Sequence, residues 1–472
     1  MGLVEYRRVT PRIAEKLRTI VGTSNVLWGD STQLEPYGHD EAGQLYANLP
    51  EVVVRPSTTD QVSEVLKLAN RERIPVTPRG AGSGLAGGAV PLFGGVVLSL
   101  EKMNRILEID RENFVAVVEP GVVTNDLCRS VAEEGLFYAG YPMSVESSFI
   151  GGNVACNAGG AKVVKYGSTA AHVLGLEVVL PDGEVIEVGG KRRKDSSGYN
   201  LLKLFVGSEG TLGIFTKIYL NLISAPGKVA DLLVPFRTVA EAISVVPKIL
   251  SQAKALPVAV EFLDRPSVQY CSAYMNSSLP YQDQAAAYLI VQLEGKTSAE
   301  LQDTYEAVGT TCLASGALEV FVADNAFSSE KIWAMRRNHL EALKVVDPDV
   351  AVGDVVVPLT DIPAMMDKVA AIAEVYHVDI VCAGHVADGN LHPVLLKPAG
   401  VTPTDWKSLS ERILREIALS ACQMGGAISG EHGIGIVKKE LLGETKTKEV
   451  NIMRKVKAAL DPNHILNPGK LF

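Results

Sequence analysis

A mixed α+β fold with a glycine-rich first part is predicted by three features of this chain. Short β-branched runs sit among dense glycines over residues 50–224, strand and helix patterns alternate after residue 225, and glycine returns beyond residue 380. The 472 residues exceed one ordinary core, so about two to four units are expected. Apolar residues at 47% against 21% charged argue for compact units and against long disordered tails.

The elements follow in order. Val52, Val53 and Val54, then Val96, Val97 and Leu98, then residues 114–118 and 176–180 read as strands. A helix fits between the first two, because Thr58 and Gln61 have capping-box spacing ahead of Val62, Val65, Leu66 and Ala69, and Pro75 is expected to stop it. Residues 176–188 read as a hairpin about Pro181-Asp182-Gly183. Ala225-Pro226-Gly227 marks a boundary. Beyond it, strands are expected at 231–236, 258–262 and 288–293 and helices at 239–251 and 299–314, an α+β domain in two layers. The expected division is a helical lead at 1–49, a glycine-rich domain at 50–224, an α+β domain at 225–420 and a closing segment at 421–472.

Composition excludes several classes. With 45 basic and 54 acidic residues and no long run of one sign, nucleic acid is not an expected partner. The start, Met1-Gly2-Leu3-Val4-Glu5-Tyr6, lacks the apolar core of a signal peptide, and Tyr6 spoils the myristoylation pattern. No apolar run approaches the roughly 18 residues of a membrane span. A cytoplasmic protein is expected, with membrane contact only through a partner. The six cysteines are scattered without a C-x-x-C, which suits reduced thiols and disfavours an iron–sulfur cluster.

Arg79-Gly80-Ala81-Gly82-Ser83-Gly84-Leu85-Ala86-Gly87 contains a formal G-x-G-x-x-G. A Rossmann site needs a helix directly after it, and Gly88-Ala89-Val90-Pro91-Leu92-Phe93-Gly94-Gly95 cannot form one. What remains is a run of unobstructed backbone N–H groups beside one arginine, able to wrap a pyrophosphate without a helix. Two more glycine clusters, at residues 151–160 and 207–213, point to a large ligand filling the space between three loops.

These three segments resemble the FAD domain of the vanillyl-alcohol oxidase / p-cresol methylhydroxylase superfamily. More narrowly, residues 50–468 are similar to its branch of glycolate oxidase catalytic subunits, D-lactate dehydrogenases and D-2-hydroxyglutarate dehydrogenases. The resemblance implies a two-lobed FAD-binding domain of the p-cresol methylhydroxylase type, an α+β substrate (cap) domain, and a C-terminal helical segment returning to the flavin. It implies that the loop of Arg79, Gly80, Ala81, Gly82, Ser83 and Gly84 holds the FAD pyrophosphate. Further flavin contacts would come from Pro142, Ser147, Gly151, Gly152, Asn157, Gly210 and Asn467. Some relatives attach FAD through a histidine in the first loop; none stands there, so noncovalent FAD is expected. The family's Pro-x-Asp-Pro run is replaced by Gly140-Tyr141-Pro142-Met143-Ser144, which leaves Met143 and Ser144 outside the carried-over set.

The segment Gly384-His385-Val386-Ala387-Asp388-Gly389-Asn390-Leu391-His392 carries a second chemistry. If residues 387–390 form a four-residue hairpin loop, His385 opposes His392 and their imidazoles can bite one metal ion. Glu431, in Gly430-Glu431-His432-Gly433, offers a third ligand, and two histidines with a carboxylate suit Zn²⁺, Fe²⁺ or Mn²⁺. Geometry alone fits a pair of polar loop histidines equally well. Family members with the H-x-x-x-D-G-N-x-H and G-E-H-G pair use them as metal site and base, so the resemblance implies His385, His392 and Glu431 as ligands, zinc first, and His432 as base. Arg336 matches the substrate-carboxylate arginine. His39, His172, His339, His377 and His464 sit alone and read as surface or structural, whereas Glu209 is expected to approach the flavin through its loop.

The activity so implied is hydride transfer from a small D-2-hydroxy acid to FAD. The electrons would pass to an electron-transfer flavoprotein or an iron–sulfur subunit. Where D-2-hydroxyglutarate dehydrogenases place polar or basic side chains for a distal carboxylate, this chain has Leu340, Val352 and Val394, which ranks D-lactate first. A flavin-bearing subunit without a substrate would lack the histidine hairpin, and a metal hydrolase would leave the glycine loops unexplained.

Overall fold

The computed structural model describes residues 5–252 and 256–472, so the first four positions of the start sequence lie outside the described residues. The chain assorts into two compact units. The first comprises Met1–Gly159, Ser168–Ala225 and Glu431–Phe472, the second Gly160–Gly167 and Pro226–Gly430.

The first unit has two lobes. One is a four-stranded sheet in the order Val26–Trp28, Val52–Val54, Val96–Ser99, Val76–Arg79, in which the last three strands run parallel. Helix Thr59–Glu72 covers it. Thr58 Oγ1 caps it by accepting from Gln61 N at 3.3 Å, while Gln61 Oε1 reaches one residue further back, to Ser57 N at 2.7 Å. Val62, Val65 and Leu66 are fully buried, each contributing about 1.5–3 kcal/mol. The helix ends at Arg73, left-handed at φ 54°, two residues before the proline expected to stop it. The residues expected as a separate lead belong to this lobe: Ile13, Leu17, Val21 and Val26 share its core, and strand Val26–Trp28 pairs with Val52–Val54.

The other lobe is an antiparallel five-stranded sheet, Ile106–Asp110, Val115–Val118, Ile214–Asn221, Val173–Val179, Val185–Gly189. The expected hairpin is its edge, with Leu176 opposite Val188. After Glu431 the chain forms helices Lys439–Thr445 and Thr447–Leu460, then lies beside strand Val76–Arg79. There Val76 N donates to Ile465 O and Asn467 N to Val76 O, each at 2.7 Å.

The second unit is an antiparallel sheet of eight strands, ordered Phe321–Ala323, Lys228–Phe236, Ala287–Gly295, Ala259–Asp264, Ile380–His385, Asn390–Leu395, Ala351–Val352, with Val355–Val356 also on Asn390–Leu395. Capping boxes at Thr238/Glu241 and Thr297/Glu300 start the helices that pack on it. The helix expected over 239–251 is two, Val239–Ser244 and Val246–Gln252, since Pro247 has no N–H to continue the ladder. Two divisions differ from expectation. Residues 421–430 stay with the second unit because helix Pro403–Gln423 runs through the expected boundary. Residues 160–167 join it through Lys162 Nζ to Gln292 Oε1 and Tyr166 OH to Glu294 Oε1, both at 2.7 Å.

Candidate functional site

In the first unit the three glycine segments converge. A Cβ on Gly80 would lie 3.6 Å from Gly152 N, one on Gly207 would lie 3.4 Å from Asn157 Cβ, and one on Gly210 would strike Pro78 Cγ at 2.6 Å. Asn467 ties the set together, its Nδ2 donating to Glu209 O at 2.8 Å and to Gly88 O at 3.0 Å. No helix follows the first loop, in keeping with the rejected Rossmann reading. The second cluster is not a loop: Ile150–Cys156 is a helix, capped by left-handed Asn157. Gly151 is there because a Cβ would meet Pro120 at 2.5 Å, whereas Gly152 opens onto free space.

Arg79 is buried beneath its loop. Its Nη1 donates to His39 O at 2.6 Å and Nη2 to Pro36 O at 3.1 Å, so the guanidinium braces the loop from below. Gly82, at φ +78°, has no room for a side chain, since a Cβ would stand 2.1 Å from Arg79 Nη2. Ala81 and Ser83 are half-buried and Gly84 is exposed. Pro142 is half-buried and Ser147 exposed, in a turn where Ser147 N donates to Ser144 O at 3.1 Å. Asn467 Oδ1 and Ser208 Oγ are buried with no hydrogen-bond partner among the described residues. Orphaned acceptors beside glycine-lined space fit a polar cofactor.

The loop with Glu431 and His432 opens the last segment of this unit. Glu431 packs against Gly159, where a Cβ would fall 2.7 Å from Glu431 Oε2. His432 Nε2 is 3.8 Å from Glu431 Oε1.

In the second unit His385 ends one strand and His392 sits in the next. The register differs from the expected one: His385 opposes Asn390 and His392 opposes Ala383, because the connecting turn is residues 386–389, one position earlier. The histidines are diagonal neighbours on one face, with ring centroids 5.2 Å apart and ligand atoms within 4.8 Å. Glu261, fully buried, engages His385 Nδ1 at 2.6 Å and Arg336 Nε at 2.7 Å. Burial pushes its carboxyl up, but the charges of His385 and Arg336 outweigh that and hold it below the usual range. A carboxylate on Nδ1 turns Nε2 outward, the orientation of a metal-ligating imidazole, so the pair fits a divalent ion. Asp354 organises the other side, accepting from Asn390 Nδ2 at 2.8 Å, Ser429 Oγ at 2.6 Å and Gly430 N at 3.0 Å, with His392 Nδ1 at 3.9 Å. Gly430 is the residue before Glu431.

Glu261 and Asp354 escaped the sequence reading as site residues. A carboxylate in the middle of the otherwise apolar run Ala259–Leu263 was the available signal for the first. His339 is structural as expected, bonded to Ser267 Oγ at 2.9 Å, with burial pushing it down to about 3.

Residues 50–189 match the family model described as FAD binding domain, and residues 225–471 match FAD linked oxidases, C-terminal domain. This is an FAD-dependent oxidoreductase, and the chain belongs to the family of FAD-linked oxidases. It is 38% identical to the glycolate oxidase subunit GlcD of Bacillus subtilis over 98% of this chain and 97% of that one. It is also 38% identical to D-lactate dehydrogenase of Anaerostipes hadrus over 100% and 99%. Among solved structures, p-cresol methylhydroxylase with substrate bound superposes with a TM-score of 0.79 at 20% identity, over 97% of this chain and 96% of that one, which establishes the shared fold. Among the described residues no helix is long and apolar enough to cross a membrane.

Proposed function

We propose that this chain is a dehydrogenase of small D-2-hydroxy acids, D-lactate first, then glycolate and slightly longer acids, with D-2-hydroxyglutarate disfavoured. The observation that carries the reading is the buried Arg336: Glu261 holds its Nε, and it has no second partner among the described residues, so its Nη pair is left for a carboxylate. The names of the two relatives at 38% identity support the substrate class.

In this reading Arg336 binds the substrate carboxylate and fixes C2. His432 takes the proton of the 2-hydroxyl as the C2 hydrogen leaves with its electron pair, and the product is the 2-oxo acid. Noncovalent FAD, cradled by the glycine segments, supplies the two-electron acceptor. A divalent ion, Zn²⁺ before Fe²⁺ or Mn²⁺, on His385, His392 and Glu431 would supply a Lewis acid. The electrons then pass to an electron-transfer flavoprotein or an iron–sulfur subunit.

Substrate size rests on the face that bears His392. Val394, two residues on, shares that face, pairs with Val352 and packs with Val381 and Leu343. A distal carboxylate against these side chains would lose several kcal/mol of solvation without a partner. Anaerobic flavin bleaching by a panel of D- and L-2-hydroxy acids tests the reading. D-lactate is expected to bleach faster than D-2-hydroxyglutarate. The reverse order overturns the pocket argument, and preference for an L-enantiomer overturns the assignment.

A further inference from the structure

Glu209 is a carboxylate that no step above uses, and its surroundings are unusual. It lies in the third glycine segment with a left-handed backbone, φ 51°, and is almost fully buried. Its main chain is fixed on both sides, N–H to Ala155 O at 2.8 Å and C=O to Asn467 Nδ2 at 2.8 Å. Its side chain points to the G-E-H-G-I-G loop: Oε1 accepts from Ile434 N at 2.8 Å and Oε2 from Gly435 N at 2.7 Å. Gly433 sits at φ +80°, a backbone that favours glycine, and its Cβ position lies 3.0 Å from Glu209 Oε1.

The same loop is held at other points of the first unit, by Ile436 N to Ala86 O at 2.9 Å and Leu471 N to Gly435 O at 3.1 Å. Those are main-chain bonds, which any sequence could make. The fork from Glu209 is different, because one side chain joins the segment that carries Gly210 to the amides two and three residues beyond His432. Only a carboxylate offers an acceptor to each amide from this position. Glutamine would turn an NH₂ toward one of the N–H groups, and aspartate would keep both oxygens but fall one methylene short.

We infer that Glu209 is a positioning residue for the base loop, fixing His432 relative to the flavin-binding segments. This rests on the proposed role of His432. Burial pushes this carboxyl up, and the two N–H donors, Lys438 and Lys470 act against that without cancelling it. A shift of about 1 Å in a reacting group can cost on the order of a hundredfold in rate.

The test uses the FAD-saturated full chain as wild type, Glu209→Gln and Glu209→Asp. It reads flavin content, the D-lactate concentration for half-maximal bleaching, the anaerobic reduction rate, and amide hydrogen exchange of residues 430–437. The expected result for Glu209→Gln is full flavin content, a half-saturating D-lactate concentration within about threefold of wild type, and a reduction rate about a hundredfold lower. Exchange at 434 and 435 should be faster, and Glu209→Asp should recover part of the rate. A reduction rate within about threefold of wild type in Glu209→Gln overturns the inference. Loss of flavin in step with rate in both variants also overturns it, since Glu209 would then only hold the fold together. If wild type is not bleached by any 2-hydroxy acid, the functional reading fails. Exchange then decides alone: faster exchange confined to 434 and 435 supports the positioning role, and unchanged exchange overturns it.

Discussion

Replacing Glu261 with glutamine probes the most heavily committed side chain of the second unit. Glu261 is fully buried and accepts from two donors, Arg336 Nε at 2.7 Å and His385 Nδ1 at 2.6 Å. Glutamine keeps the volume but has one acceptor oxygen, so its amide NH₂ must face one of the two donors, and Arg336 is left buried without a counter-charge. Breaking a buried pair this way costs about 3 kcal/mol, toward the lower end because the shape is preserved. For a unit of about 200 residues that corresponds to a fall of roughly 6–12 °C in its unfolding transition. The orientation of His385 is lost with it, and metal affinity is expected to drop about 10–100-fold. Calorimetry of the FAD-saturated chain and a zinc competition titration measure the two effects. A transition within about 2 °C of wild type, with zinc affinity within about twofold, would refute the view that Glu261 holds both groups.

Changing His432 to alanine should leave the flavin spectrum intact and slow reduction by D-lactate about 10²–10⁴-fold; an unaffected rate removes it as base. Gly152→Ala and Gly82→Ala should separate cradle from scaffold. The first, a helical glycine opening onto free space, should gain about 0.5–1 kcal/mol of apoprotein stability while weakening FAD binding. The second forces Arg79 aside and should lose both, as denaturant titrations and flavin fluorescence would report. Asp264 is buried with its carboxyl pushed from 3.8 up to about 6, so the folded chain holds its proton more tightly than the unfolded chain between those values. Its contribution to stability is therefore present below about pH 4 and is lost as pH rises to 6, by roughly 3 kcal/mol. Urea unfolding of wild type against Asp264→Asn at pH 4 and pH 7 should show that difference; a pH-independent gap counts against it.

The element starts that were legible carry local signals. Thr58 caps the helix that follows it, Pro181-Asp182-Gly183 sits in the turn of its hairpin, and the helices expected from 239 and 299 begin behind caps at Thr238 and Thr297. The misreadings have separate causes. The turn between the histidines slipped by one position because Gly389, left-handed at φ 80°, closes it, so His385 meets Asn390. A slip of one position in the loop moves the facing pair by two and leaves both rings on the same face, which is why the metal pair survives the error. The glycines at 151 and 152 suggested a loop, yet Ile150 and Val154 are fully buried and tertiary packing overrides propensity. For Glu261 only its place in an apolar run was legible, because its partners Arg336 and His385 are 75 and 124 residues away.

The strand Val76–Arg79 is flanked on one side by Val96–Ser99 and on the other by residues 465–467, made about 390 positions later. During synthesis the entire second unit leaves the ribosome in between. The lobe beside the first glycine loop therefore waits with an unpaired strand margin, and Asn467 cannot reach Gly88 and Glu209 until all of the second unit has been made. Closure at such separation is slow for a tethered chain and exposes that margin to other chains meanwhile. An early stop codon would thus remove cofactor retention before it removes most of the fold, and a ribosome-stalled chain lacking residues 465–467 should emerge colourless.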